Sequence, residues 1–287
     1  MKYVNRTIRR VLIIANLHKD EAKNLIAEIT EYCEQKEIEV EVFGFVGKPE
    51  IPDVRGIDFV FSLGGDGTVL YTSRVVESSG IPILAINLGK FGFITEVSKK
   101  EWKSAFEKYE HNELGLSRRI MLKVVVERDG RKIASFKGLN DAVISCEGIS
   151  TIVKLSLLVN DTPLGQYRAD GVIVATPTGS TAYSVSAGGP ILDPELEALI
   201  VNPICPFTLS NRPLVVSGDE VITILVEEDQ RVGVILSIDG QDSFPLLPYD
   251  KVIIEKSHSK TLLVKSDVRN FYEILRSKLN WSGGPDA

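Results

Sequence analysis

The run Gly64-Gly65-Asp66-Gly67-Thr68 carries the residue types that handle phosphate. Three glycines in four positions let a backbone turn sharply and approach a ligand with no Cβ in the way. The apolar run at 57–61 precedes the loop and a helical pattern follows it, so the loop is a strand-to-helix junction whose helix N-terminus presents N–H groups and the positive end of a dipole. A carboxylate there is repelled by bare phosphate. Asp66 therefore points to a bound divalent cation, or to a hydroxyl oriented beside the phosphate. Read locally, the same residues also make an ordinary Asp-Gly turn. The spacing satisfies neither G-x-x-x-x-G-K-[ST] nor G-x-G-x-x-G, which leaves P-loop ATPase and dehydrogenase readings unsupported.

A second stretch runs from Arg168-Ala169-Asp170-Gly171 through Thr176-Pro177-Thr178-Gly179-Ser180-Thr181-Ala182-Tyr183 to Ala187-Gly188-Gly189-Pro190. Seven hydroxyl-bearing side chains fall within 176–186, a density of donors and acceptors that suits a sugar, a phosphate or a base. The alternative is a helix start capped by Ser and Thr, with Tyr183 an ordinary core residue. No G-x-S-x-G elbow supports a serine hydrolase. Asn140-Asp141 heads an apolar run, where such residues usually turn the chain. The segment 87–93 follows a strand and is expected to wall the Asp66 loop, with Lys90 a solvated cation, because ligands gather at the carboxyl ends of parallel strands.

The elements that must position these residues fall into two patterns. Residues 11–15 read as a strand, and Ala22, Leu25, Ile26, Ile29, Tyr32 and Cys33 recur on one helical face. Strands at 40–45, 59–63 and 81–86 alternate with helices at 68–77 and 102–109, predicting an α/β domain with a Rossmann-like parallel sheet. Beyond about residue 117 short apolar runs follow at 121–126, 154–159, 172–175, 221–226, 232–238, 251–254 and 262–265. The turn signals Asp129-Gly130, Asn160-Asp161, Ser217-Gly218-Asp219 and Asp239-Gly240 separate them, predicting an all-β, sandwich-like domain. Residues 267–279 predict a final helix.

Composition narrows the function classes. Thirty-three Lys and Arg against 39 Asp and Glu, a net charge of −6, lack the basic footprint of a nucleic-acid binder. Cys33, Cys146 and Cys205 form no C-x-x-C, so neither a disulfide framework nor a zinc site is expected, in keeping with a reducing cytoplasm. The N-terminal apolar run breaks at Asn16 with no A-x-A-like site after it, and reads as a strand rather than a signal peptide. No 18-residue apolar run predicts a spanning helix or a membrane partner.

Together these stretches resemble the NAD kinase family, grouped with the diacylglycerol and sphingosine kinases and the 6-phosphofructokinases. Gly64-Gly65-Asp66-Gly67-Thr68 is similar across that whole group, whereas the stretch from Asp170 to Pro190 resembles NAD kinases specifically. The likeness runs from the first strand to Phe271-Tyr272-Glu273-Ile274-Leu275-Arg276. It implies an α/β domain of residues 1–117 and 267–287, to which the last helix returns, and a β-rich NAD-binding domain of 118–266. The implied reaction is Mg²⁺-dependent transfer of the ATP γ-phosphoryl group to the 2′-hydroxyl of the adenosine ribose of NAD, in the cytoplasm, by a homodimer or homotetramer. By the same resemblance Asp66 lies at the phosphoryl-transfer centre, with Gly64, Gly65, Gly67 and Thr68 on phosphate. Asp66, Gly67, Phe93, Asn140, Asp141, Arg168, Asp170, Thr178, Thr181, Ala182, Tyr183 and Gln241, the last within the Asp239-Gly240-Gln241 loop, contact NAD, and Arg168 resembles the pattern of members that prefer NAD to NADH. Asp141 stands where Glu is usual, shortening the carboxylate's reach by one methylene, and Phe91 replaces a common Leu. The rival readings are a lipid kinase and an idle NAD(P)-binding regulator.

Overall fold

The computed structural model describes residues 7–18, 20–47, 50–89, 92–148, 152–208 and 211–280. Lys90 and Phe91 lie outside them. The chain divides into two units, one of residues 1–118 with 261–287 and the other of 119–260. Among the described residues no helix is long and apolar enough to cross a membrane.

In the first unit β1 (Arg10–Asn16), α1 (Asp20–Gln35), β2 (Glu39–Phe45), β3 (Phe59–Gly64), α2 (Asp66–Val75), β4 (Ile83–Asn87), β5 (Val97–Ser98) and α3 (Trp102–Glu110) follow in order. The strands are parallel in the order β2-β1-β3-β4, with β5 beside β4. β3 and β4 are buried along their whole length because helices cover both faces, which is why they read as continuous apolar runs. Ala22, Leu25, Ile29 and Cys33 of α1 pack with Phe59, Phe61, Trp102 and Phe106 in one core. Helix α2 begins at Asp66, inside the glycine loop and ahead of the predicted residue 68, because Gly65 takes the extended N-cap conformation.

The second unit is built from β6 (Leu116–Arg128), β7 (Arg131–Gly138), β8 (Asp141–Cys146), β9 (Val153–Val159), β10 (Thr162–Ala169), β11 (Gly171–Ala175), β12 (Ala198–Ile204), β13 (Leu214–Ser217), β14 (Ile222–Val226), β15 (Val234–Ile238), β16 (Asp242–Leu246) and the first part of β17 (Lys251–Val264). Six antiparallel strands run β13-β12-β11-β8-β15-β16. Against them pack β6, β9, β14 and β17, and the inward side chains of both layers form a single sandwich core. The outer face of β8, β11 and β12 is covered by Ala187 and Leu192, so Val172–Ala175 is buried on both sides. A 3-10 turn at Thr178–Thr181 and α4 (Tyr183–Ser186) follow β11.

Three predicted turns are hairpins with both central residues at positive φ: Asp129-Gly130, Asn160-Asp161 and Asp239-Gly240. That geometry matches the right-handed twist of the flanking strands. Two expectations are corrected. The runs 251–254 and 262–265 belong to one strand, β17, whose polar middle keeps one face toward solvent. The last helix, α5 (Phe271–Leu279), starts four residues later than expected, because Ser266 Oγ turns the chain by accepting from Val268 N and Arg269 N. Asn270 and Glu273 then close a capping box. α5 belongs to the first unit, where Arg269 pairs with Glu101 and Lys278 lies 4.9 Å from the centre of the Phe93 ring.

Candidate active site

The sequence-predicted residues fall into one group in each unit. In the first, Gly64 ends β3, Gly65 caps α2, and Asp66, Gly67 and Thr68 form its first turn. Asp66 is half-buried, and its carboxylate turns toward the segment after β4. Oδ2 accepts from Phe93 N at 2.8 Å, while Oδ1 accepts from Ile94 N, Thr95 N and Thr95 Oγ1, each at 3.2 Å. Successive backbone N–H groups converging on one anion form a nest. Gly92 makes the approach possible, since a Cβ there would sit within 2.3 Å of all three carboxyl atoms. Thr95 Oγ1 is itself held by Asn87 Nδ2 at 2.9 Å and Gly92 N at 3.0 Å. Asn87 also lines a pocket of about 280 Å³ at the carboxyl end of β4, together with Gly89, Ser98, Lys99 and Lys100.

In the second unit Asn140 and Asp141 enter β8 beside the turn after β11. Thr176 N donates to Asn140 O, and Thr176 Oγ1 donates to Leu139 O. Gly179 lies against the Asn140 backbone so closely that a Cβ would meet Asn140 O at 2.1 Å. The Asp239 carboxylate, buried in its hairpin, accepts from Leu139 N, Asn140 N and Asp141 N at 2.7 to 3.2 Å. Burial first, and then the Asp239 charge, push the Asp141 carboxyl up to about 7. Asn140 Oδ1 and Thr178 Oγ1 are buried with no hydrogen-bond partner among the described residues. Such orphaned atoms are costly unless a ligand supplies the missing partner.

Three of the seven hydroxyls of 176–186, those of Thr176, Ser180 and Thr181, serve the backbone instead. Ser180 Oγ donates to Pro177 O and accepts from Leu192 N, and Thr181 Oγ1 donates to Thr178 O. Neither short helix has a side-chain cap at its N-cap residue, contrary to the capped-start reading; Thr176, Ser180 and Thr181 are bonded internally, and Thr178 Oγ1 keeps an open valence among the described residues. Tyr183 is exposed rather than a core residue. Gln241 follows Asp239-Gly240, its N–H closing the turn onto Ile238 O.

Arg168 and Asp170 stand apart from this group. Asp141 pairs with Ala175 at one end of β11, while Asp170 precedes Gly171 at the other, about 17 Å away at ~3.4 Å per residue. Asp170 N donates to Ile204 O, and Arg168 is exposed on β10. Thr95 is the residue that sequence reasoning missed; Asn87 was expected only as part of the wall at 87–93, and Asp239 only as part of a turn and its loop, neither with the hydrogen bonds it makes. Thr95 lies 29 positions from Asp66, and Asp239 lies 100 from Leu139, separations at which no local pattern links donor to acceptor.

A divalent cation fits the first group only as a companion of phosphate. Among the described residues no three His, Cys, Asp or Glu side chains converge, and Asp66 Oδ1 already takes three donors, leaving Oδ2 as the oxygen open to a metal. Mg²⁺ commonly takes one or two carboxylates with phosphates and waters, so this donor set suits it.

Comparison with known proteins agrees with this architecture. Residues 50–114 match the family model described as the ATP-NAD kinase N-terminal domain, and 139–266 match the ATP-NAD kinase C-terminal domain. The chain is 41% identical over 277 residues to the NAD kinase of Treponema denticola, covering 96% of this chain and 98% of that protein. It is 37% identical to the NAD kinase of Geotalea daltonii, over 96% and 99%. Among solved structures, yeast NADH kinase complexed with NADH superposes with a TM-score of 0.86 at 26% identity, covering 98% of this chain and 89% of that one. An NAD kinase from Archaeoglobus fulgidus in complex with ATP gives 0.76 at 28% identity, over 94% and 98%. On the two matched domains and the near full-length identity, the chain belongs to the NAD kinase family.

Proposed function

We propose that this protein is an NAD kinase that transfers the γ-phosphoryl group of ATP to the 2′-hydroxyl of the adenosine ribose of NAD, yielding NADP and ADP. The observation that carries the reading is Asp66, anchored through Oδ1 at the N-terminus of α2 with Oδ2 accepting a single hydrogen bond among the described residues. In a loose phosphoryl-transfer transition state the attacking hydroxyl keeps its proton until late, so orienting that hydroxyl and taking its proton are what the carboxylate must do. Oδ2 is the oxygen suited to both. Gly64, Gly65, Gly67 and Thr68 provide the helix start that stabilises phosphate charge, and the pocket beside Asn87 has room for part of the donor nucleotide. Asp66 would help hold a Mg²⁺ bound with the triphosphate, and that ion would supply charge neutralisation.

Gly67, Phe93, Asn140, Asp141, Thr178, Thr181, Ala182, Tyr183 and Gln241 contact the dinucleotide in this reading, with the orphaned Asn140 Oδ1 accepting from a donor group of NAD. Asp170 serves its nicotinamide end, and Arg168 favours NAD over NADH. The first unit is thus the phosphoryl-transfer unit, and the second holds NAD. A cytoplasmic homodimer or homotetramer completes the proposal; sedimentation equilibrium measures the assembly.

The test mixes purified protein, ATP, Mg²⁺ and NAD, and detects NADP with an NADP-specific dehydrogenase. Asp66→Asn is expected to lower kcat by about 10²- to 10⁴-fold while calorimetric NAD binding stays within a few-fold. Binding of NAD without any turnover by the wild-type chain would refute the reading.

A further inference from the structure

We infer that Thr95 is a positioning residue for Asp66, and that it selects which carboxylate oxygen faces the substrate. The inference rests on the kinase reading above and adds a residue that the glycine-loop motif does not contain.

The argument starts from the valence of one hydroxyl. Thr95 is fully buried, and its Oγ1 accepts two hydrogen bonds, from Asn87 Nδ2 at 2.9 Å and from Gly92 N at 3.0 Å. A hydroxyl has two acceptor sites and one proton, so both acceptor sites are filled and the proton is left to donate. The remaining neighbour is Asp66 Oδ1 at 3.2 Å. The direction of this bond is therefore set by Asn87, whose own Oδ1 is fixed by Gly89 N at 2.6 Å. A chain of oriented groups thus runs from the end of β4 to the Asp66 carboxylate.

The consequence is an asymmetry between the two oxygens. Among the described residues Oδ1 takes the Thr95 hydroxyl and two backbone N–H groups, whereas Oδ2 takes only the N–H of Phe93. The more crowded oxygen is the anchor, and Oδ2 keeps lone-pair capacity for an incoming hydroxyl. Without the Thr95 hydroxyl the carboxylate loses a charge-assisted bond and a restraint on its rotation about the Cβ–Cγ bond. Gly92 completes the device by leaving the carboxylate room to sit flat against the turn.

The test compares Thr95→Val, which keeps shape and removes the hydroxyl, with Thr95→Ser, which keeps the hydroxyl, in the full chain assayed for NADP formation. Thr95→Val is expected to lower kcat about 10- to 100-fold, the range for a lost hydrogen bond to a charged group, with KM for NAD and ATP changing less than about threefold. Thr95→Ser is expected to restore kcat to within about threefold of wild type. Gly92→Ala, which leaves Thr95 intact and displaces the carboxylate, is expected to depress kcat at least as far as Thr95→Val, with an unchanged circular dichroism spectrum. Wild-type kcat in a folded Thr95→Val variant, or a loss that serine does not rescue, overturns the positioning role while NADP formation by the wild type keeps the kinase reading. Should Thr95→Val fail to fold, an active Gly92→Ala overturns it, and an active Thr95→Ser beside a depressed Gly92→Ala supports it. Absence of NADP from the wild type overturns both.

Discussion

Asp66 and Asp239 each gather three consecutive backbone N–H groups, those of 93–95 and 139–141, yet they sit on opposite sides of the control relationship. Asp66, the reactive group of the proposed mechanism, is held by a turn. Asp239 holds a turn on which Asn140 and Asp141 are carried. Replacing Asp239 by Asn keeps one acceptor oxygen but puts an amide N–H₂ against a backbone donor, so the 139–141 turn loses its register. The expected outcome is a KM for NAD raised about tenfold with kcat nearly unchanged, read from steady-state kinetics. The glycine loop was legible because glycine and aspartate at a strand end have few jobs. Asp239 was legible as half of an Asp-Gly hairpin turn and as part of the Asp239-Gly240-Gln241 loop, but not as the acceptor for 139–141, since the turn conformation already accounts for its type.

The alternation of apolar runs and amphipathic segments identified β1, α1, β3, β4 and α3 nearly to the residue, because period and burial coincide when one face packs on a core. It did less well where polar bonding decides the boundary. The start of α5 is set by Asn270 and Glu273 rather than by the apolar residue Val268, which is exposed. Asn270→Ala removes the cap and is expected to destabilise the first unit by about 1 kcal/mol, measured by urea denaturation. Because Lys278 of this helix lies over Phe93, the same variant is expected to loosen that ring's surroundings. The long β17 escaped the apolar pattern, since its middle residues alternate polar and half-buried positions.

At the scale of the whole chain two carboxyl groups give stability opposite pH slopes. Glu101 is held down to about 2, chiefly by the Arg269 guanidinium, so its contribution is present above its ordinary value and is lost as pH falls toward 2. Asp141 holds its proton to about pH 7 in the fold but only to about 4 when unfolded. The folded chain binds the extra proton between those values, and that contribution, full below about pH 4, is lost as pH rises to about 7. Thermal melts across this window are expected to show Asp141→Asn flattening the decline between pH 4 and 7, and Glu101→Gln flattening the rise below pH 4.5.

By itself the sequence determined that the chain joins an α/β segment to a β-rich one, with a phosphate-handling loop at a strand end and a hydroxyl-rich turn later on. Those features are written in short-range periodicity and in residues whose conformational needs are local. Only the tertiary structure decided which groups remain available for chemistry. It satisfied Thr176, Ser180 and Thr181 internally, left Asn140 Oδ1 and Thr178 Oγ1 open among the described residues, and set Asp170 a strand's length from Asp141. It also gave Oδ1 of Asp66 three donors and Oδ2 one among the described residues. The physical reason is that a polar atom's function depends on which of its valences are already filled, and the partners that fill them are brought from distant positions by the fold.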